Sequence, residues 1–514
     1  MAATLFSTLL GLAREIVNAR YYGTRWEMDT FLAAATIPTI LFGLFNGALV
    51  SALVPVFSEY IAIERNEEGW RLANTVVNAL VVLLVVVAAV AWIFAPMYVP
   101  LIAHGFPAPQ MGVAIRMTRW LVPTIVATSL AGVFAAILNA HHRFRATALQ
   151  GVAINVVTIA CVIALDHRYG IYAVVLGTTL GFCAQVLVQI PALLRLGHWR
   201  PQIDLRHPGL ARIAANLGPI IVGSAAGQLA LFFDRFFAST LPPGAMAAMN
   251  YATKLVGFPQ QIFAAAIATV IFPLLSIDFA RGNRAGVRRS ALTGLRLTLF
   301  ITIPAVCGLY ALAGPIVQTL FERGVFGAAA TAQCVALIPY AAAGLVFVAA
   351  NVILTRCCFA CSQTSQPVTI SVVSVMANVF LSVLWLPWLG ARGLLLANSV
   401  SQGLQAIALG VVVWRLLDGL DLRTLGLSAG RAIVCSAAMV IALHWIGSVA
   451  APPPAELLPR LWYLAGQLAI GGAVFFATAR FIGADDLDIA VQSVMRKFSQ
   501  NVPSAPEGRS VPIA

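Results

Sequence analysis

Residues Gly11–Tyr60 read GLAREIVNARYYGTRWEMDTFLAAATIPTILFGLFNGALVSALVPVFSEY. The stretch is apolar enough to lie in a membrane. Yet Arg14 and Glu15 sit within its first hydrophobic run, and Asp29 opens its second. A charge at membrane depth costs on the order of 3 kcal/mol or more, so such residues face a bundle interior or a watery cavity. The pattern returns in altered form about 218 residues later. There ALVSALVPVFSEY (Ala48–Tyr60) reappears as AIATVIFPLLSID (Ala266–Asp278). This pairs Ser51 with Thr269, Pro55 with Pro273 and Ser58 with Ser276, while Arg20-Tyr21-Tyr22 is echoed by Arg235-Phe236-Phe237. A duplicated membrane bundle with charge inside it reads as a transporter.

Composition agrees. Of 514 residues 60% are hydrophobic and only 10% are charged, with a mean hydropathy of +0.89. Soluble domains carry roughly 25% charged residues, so this chain takes lipid as its solvent. No cleavage pattern precedes the first apolar run, which reads as a retained span. The eight cysteines are scattered through apolar segments, and only Cys357, Cys358 and Cys361 cluster. With no histidine ligands beside them they read as small buried residues.

Fourteen spans are expected, at roughly 3–22, 30–61, 72–101, 116–140, 148–166, 170–194, 212–238, 246–277, 289–320, 328–361, 366–388, 391–416, 429–450 and 459–483. The fold class is therefore an all-α integral membrane protein. Several spans carry an interior proline; the coincidence of Pro55 with Pro273 across the repeat marks that pair as candidate kinks or gates. The connections after even-numbered spans, with the C-terminal tail, hold about 20 Lys and Arg, against about 8 in the others. The positive-inside rule then places both termini in the cytoplasm. This topology, with contact to anionic head groups, absorbs most of the net charge of +13. No nucleic-acid partner is expected.

The repeat extends further. Gly170 opens span six with GIYAVVLG and Gly390 opens span twelve with GARGLLLA; Asn155 in span five corresponds to Asn378 in span eleven. Spans one to six and seven to twelve are two like halves, related by an axis along the membrane normal because each half has an even number of spans. The expected organisation is an N-terminal lobe (1–200), a C-terminal lobe (201–425), two added spans (426–485) and a cytoplasmic tail (486–514).

No enzyme constellation stands out: there is no phosphate-binding glycine loop, no HExxH and no spaced nucleophile–base pair. The positive case is electrostatic. Arg14, Arg235, Lys254 and Arg296 fall inside spans and are not explained by loop topology. If both halves pack around a central cleft, Arg14 and Lys254 face each other from equivalent places. A cationic cavity in a low-dielectric bundle attracts a diphosphate. The competing reading is local neutralisation, Arg14 by Glu15 or Asp29 and Lys254 by Asp234; Arg296 reads as snorkelling. Asp234, with Asn378 and Ser382 four apart on one helix face, supplies oxygen ligands suited to a hard cation. A salt bridge from Asp234 to Arg235 or Lys254 is the alternative.

At GLAREIVNARYYG, MDTFLAAATIP, ALVSALVPVFSEY and NYATKLVGFP (Asn250–Pro259) the chain resembles the MurJ/MviN family of bacterial lipid II flippases, within the multidrug/oligosaccharidyl-lipid/polysaccharide (MOP) exporter superfamily. The resemblance implies two six-helix lobes around a positively charged cavity, and a polyprenyl-tail groove made with spans thirteen and fourteen. It implies substrate-binding roles for Arg14, Glu15, Asp29 and Lys254. It also implies a sodium site that would include Asp234 and Asn378. The chain departs from the family at Thr8, at Phe42-Gly43 and at Asn46-Gly47, where family members tend to carry charge. Its cavity is expected to be less cationic.

The expected function is alternating-access flipping of a polyprenyl-diphosphate-linked saccharide, such as a lipid II-like precursor, in the bacterial inner membrane. The chain is expected to act as a monomer without an organic cofactor or metal, with Na+ or H+ as a coupling ion. Two other cargoes remain open: an undecaprenyl-linked exopolysaccharide or O-antigen unit, and cationic drugs exchanged by a MATE-like antiporter. A scaffold acting through its basic loops is a third class.

Overall fold

The computed structural model describes residues 2–63, 66–197, 200, 202–204, 206–449 and 456–487. Within these, the side chains of 2–5, 45–47, 61, 66, 219, 222–223 and 261–274 lie outside the description. Helix is the only regular secondary structure among the described residues. Each of the fourteen expected spans is met by one helix or by two joined at a break. Among the described residues eleven helices are long and apolar enough to cross a membrane by length and composition. The breaks recur across the repeat. Span three divides at Phe94 and span nine at Leu312, while span four divides at Val122-Pro123 and span ten at Gly344. The helix Thr36–Ala62 runs through Pro55, which is exposed. Pro273 lies within the helix Ala245–Ala280, but its side chain falls outside the described residues.

Repetition also reaches the backbone. The helices of spans five and eleven end in Gly170 (φ 53°, ψ −136°) and Gly390 (φ 54°, ψ −130°). Each glycine donates its N–H to the carbonyl four residues back, Asp166 at 2.7 Å and Leu386 at 3.0 Å. A side chain is strained at such φ, which is why glycine stands at both places. After spans four and ten the turns match as well, with His142 (φ 56°) and Ser362 (φ 59°) both left-handed. Packing follows suit: span one lies on span five as span seven lies on span eleven, and spans three and four pair as nine and ten do.

The chain forms two compact units. One comprises Met1–Phe258, Ala313–Gly344 and Thr364–Ala408; the other comprises Pro259–Leu312, Leu345–Gln363 and Leu409–Ala514. The first draws on both sequence halves. It holds every candidate substrate and cation residue named above.

In the second unit the helix Arg284–Ala311 packs on Leu422–Val449, which packs on Leu457–Phe481. Phe300 meets Phe475 with ring centroids 5.2 Å apart. Arg296 does not snorkel to the surface. Its Nε donates to Asp486 Oδ1 at 2.8 Å, and the Asp486 side chain is fully buried. The carboxylate comes from just beyond the last span, so sequence inspection of the helix alone misses it. Removing one partner of a buried pair strands the other, at about 3–5 kcal/mol. Arg296→Met is therefore expected to lower the melting temperature in detergent markedly. The double variant Arg296→Met/Asp486→Leu should recover most of the loss, and no recovery would refute the pairing account.

Candidate functional site

Spans one and two meet spans seven and eight at one end of the first unit. There Asp29, 3% exposed, reaches across 215 residues of sequence. Its Oδ2 accepts from Gly244 N at 2.5 Å and its Oδ1 from Ala247 N at 2.7 Å. These amides belong to the start of the helix Ala245–Ala280, whose first N–H groups have no intrahelical acceptor. A carboxylate there satisfies two of them and meets the positive end of the helix dipole. Gly244 sits at φ +90° with Thr24 O so close that no Cβ fits. The end of span one thus touches the start of span eight.

Two loops lock the same end reciprocally. The loop after span nine brings Gly324 against Arg20, and Val325 N donates to Arg20 O at 2.9 Å. The loop after span three brings Gly105 against Ser239 and Thr240, and Gly105 N donates to Ser239 Oγ at 3.2 Å. Gly105 and Gly324 stand in corresponding loops, after spans three and nine, and each lies against the backbone where the other half's first span ends. Behind the Gly324 loop, Tyr251, Phe321 and Phe326 form a fully buried aromatic trio with centroids 5.2–5.7 Å apart.

Below this closure lies the charge. Arg14 Nη2 pairs with Glu15 Oε1 at 3.0 Å; the Arg14 side chain is 27% exposed and Glu15 only 8%. Arg235 donates to Asn250 Oδ1 at 3.4 Å and lies within electrostatic reach of Asp234, Asp29 and Glu15. Lys254 is exposed and has no ion-pair partner among the described residues. By helix rise Arg14 is about 12 Å from the end of its helix at Tyr22, and Lys254 about 14 Å from the start of its own at Ala245. The two cations therefore sit at matched depth beneath one closure.

Asn378 and Ser382 are buried together, with Ser382 Oγ donating to Asn378 Oδ1 at 3.0 Å. Their span packs on the span that carries Asp234. No group of three or more His, Cys, Asp or Glu placed to hold a metal occurs among the described residues.

Two features escaped sequence inspection. Arg212, counted among the loop charges, makes a bidentate pair with Glu59 at 3.1 and 2.7 Å, joining the far ends of spans seven and two. At mid-length the amide of Gln228 lies over Gly43, and a Cβ there would require that flexible side-chain end to move. Gly43→Leu is expected to destabilise by about 1–3 kcal/mol through overpacking, read as a lower melting temperature. Gln228→Ala should relieve it, and equal loss in single and double variants would discount the contact.

A family model described as lipid II flippase MurJ matches residues 18–456. The chain belongs to the MurJ family. A probable lipid II flippase MurJ from Rhizobium meliloti (strain 1021) is 31% identical over 530 residues, covering 98% of this chain and 97% of that protein. The lipid II flippase MurJ of Burkholderia cenocepacia is 29% identical, with coverage of 93% and 95%. Among solved structures, a lipid II flippase MurJ in an inward closed conformation superposes with a TM-score of 0.81 at 22% identity, covering 94% of this chain and 98% of that one. An inward-facing multidrug resistance MATE transporter of the MOP superfamily gives 0.66 at 15% identity, with coverage of 80% and 94%. The family's transporter fold and its multi-pass inner-membrane setting thus hold for this chain.

Proposed function

We propose that this member of the MurJ family carries lipid II, a polyprenyl-diphosphate-linked saccharide, across the cytoplasmic membrane by alternating access. Both termini lie in the cytoplasm. Arg14 and Lys254 hold the diphosphate, Glu15 orients Arg14, and Asp29 closes the bundle end above them. The observation that carries this reading is the exposure of Lys254 and Arg14 at matched depth, the first without a carboxylate partner among the described residues and the second only partly neutralised. One unit charge 4 Å from a phosphate is worth about 4 kcal/mol at an effective dielectric of 20. Arginine adds a planar fork that fits phosphate oxygens. The lobes 1–200 and 201–425 supply one cation each. Na+ or H+ drives the return step, with Asp234, Asn378 and Ser382 as the cation-side candidates.

The test is genetic. Expression of this chain should restore growth to cells depleted of their own lipid II flippase. Failure there, with rescue of cells lacking an exopolysaccharide flippase, would reassign the cargo while keeping the mechanism.

A further inference from the structure

One flank of the first unit ends in arginines laid against aromatic rings. Along the helix Asn66–Ile93, Val82, Val86, Val90 and Ile93 stand exposed, a stripe at helical spacing that continues to Trp92. Over the Trp92 ring lies Arg119, its Cζ 4.6 Å from the centroid and its Nε donating to Trp92 O at 3.2 Å. One turn earlier Arg116 is exposed and its Nε donates to the Tyr172 hydroxyl at 3.3 Å. Arg168 is exposed beside Tyr169, and Trp120 completes the rim at 56% exposure.

These arginines sit at the helix ends away from Arg71, Arg143, Arg145 and Arg195, the basic side that sets topology. The positive-inside rule accounts for the latter and not for the former. None of the three pairs with a carboxylate among the described residues, and Asp166, on the same helix as Arg168, lies against the Tyr22 hydroxyl instead. In Arg116 and Arg119 the Nε is held by the protein, which leaves the Nη edges without a hydrogen-bond partner among the described residues.

We propose that this arginine–aromatic shelf binds the phosphate of an anionic phospholipid, whose acyl chain lies along the Val82–Ile93 stripe. Guanidinium forks match phosphate oxygens. Tryptophan favours the head-group level, and a ring beneath a guanidinium keeps one of its faces dry. Free phosphate is not the occupant: exposed charges are screened within about 8 Å at physiological salt, and only a lipid adds the apolar contact that holds it there. The site requires membrane embedding alone and is independent of the cargo.

A photoactivatable phosphatidylglycerol, incubated with the full-length chain in nanodiscs, is expected to cross-link peptides from 82–93 and 108–121. Phosphatidylcholine carrying the same probe should label them weakly. Replacing the arginines with glutamine (Arg116→Gln, Arg119→Gln, Arg168→Gln) should weaken labelling about fivefold per residue removed. The exposed single variant Arg116→Gln carries the test if the triple variant does not purify as a single species. Equal labelling by both lipids, undiminished labelling of the variant, or full displacement by inorganic phosphate would each overturn the proposal.

Discussion

Arg14→Ala and Lys254→Ala are each expected to reduce lipid II translocation to background while the protein still inserts at wild-type levels. A charge-assisted hydrogen bond contributes about 1.5–3 kcal/mol, so losing one cationic contact weakens diphosphate binding by roughly 10- to 150-fold. Folding should survive both changes. Lys254 is exposed and without an ion partner among the described residues. After loss of Arg14, Glu15 still lies within reach of Arg235. Lys254→Arg keeps the charge and is expected to retain most activity, which separates charge from packing. The measurement is translocation of labelled lipid II in reconstituted vesicles at matched protein amounts. Wild-type rates in both alanine variants would remove the diphosphate clamp from the mechanism.

The second large effect concerns Asp29. Asp29→Ala deletes both acceptors at the start of span eight, at about 2–5 kcal/mol. Asp29→Asn keeps one acceptor and turns an amide N–H toward another donor, so an intermediate loss of about 1–3 kcal/mol is expected. Because the cap joins parts of the two halves, the cost falls on the closed bundle end and not evenly on the protein. Amide exchange in peptides covering Gly244–Ala248 should accelerate by more than tenfold, and flipping should fall by at least as much. Unchanged exchange in Asp29→Ala would mean that the carboxylate does not hold the helix start.

The architecture was legible because it rests on composition and periodicity. Apolar runs long enough to cross hydrocarbon give the spans, and the recurrence of Gly170 at Gly390 gives the duplication before any coordinate is seen. The helix breaks at Phe94 and Leu312 were less visible, since two short helices and one long one share the same hydropathy. Charges inside spans flagged Arg14, Glu15, Asp29 and Lys254 as unusual, but not what each one touches. Asp29 was expected to take part in substrate binding; its acceptance of the Gly244 and Ala247 amides depends on a backbone turn 215 residues away. Arg296 was read as snorkelling and Arg212 was counted as a loop charge, whereas Asp486 and Glu59 reach them from remote segments. Partner identity is a long-range property, and single-helix periodicity does not carry it.

That reciprocity has an evolutionary reading. Two loops exchanged symmetrically between like halves are the isologous interface of a parallel dimer, drawn into a single polypeptide. A six-span ancestor meeting its own copy would have sealed one mouth with the same pair of glycine-backed grips.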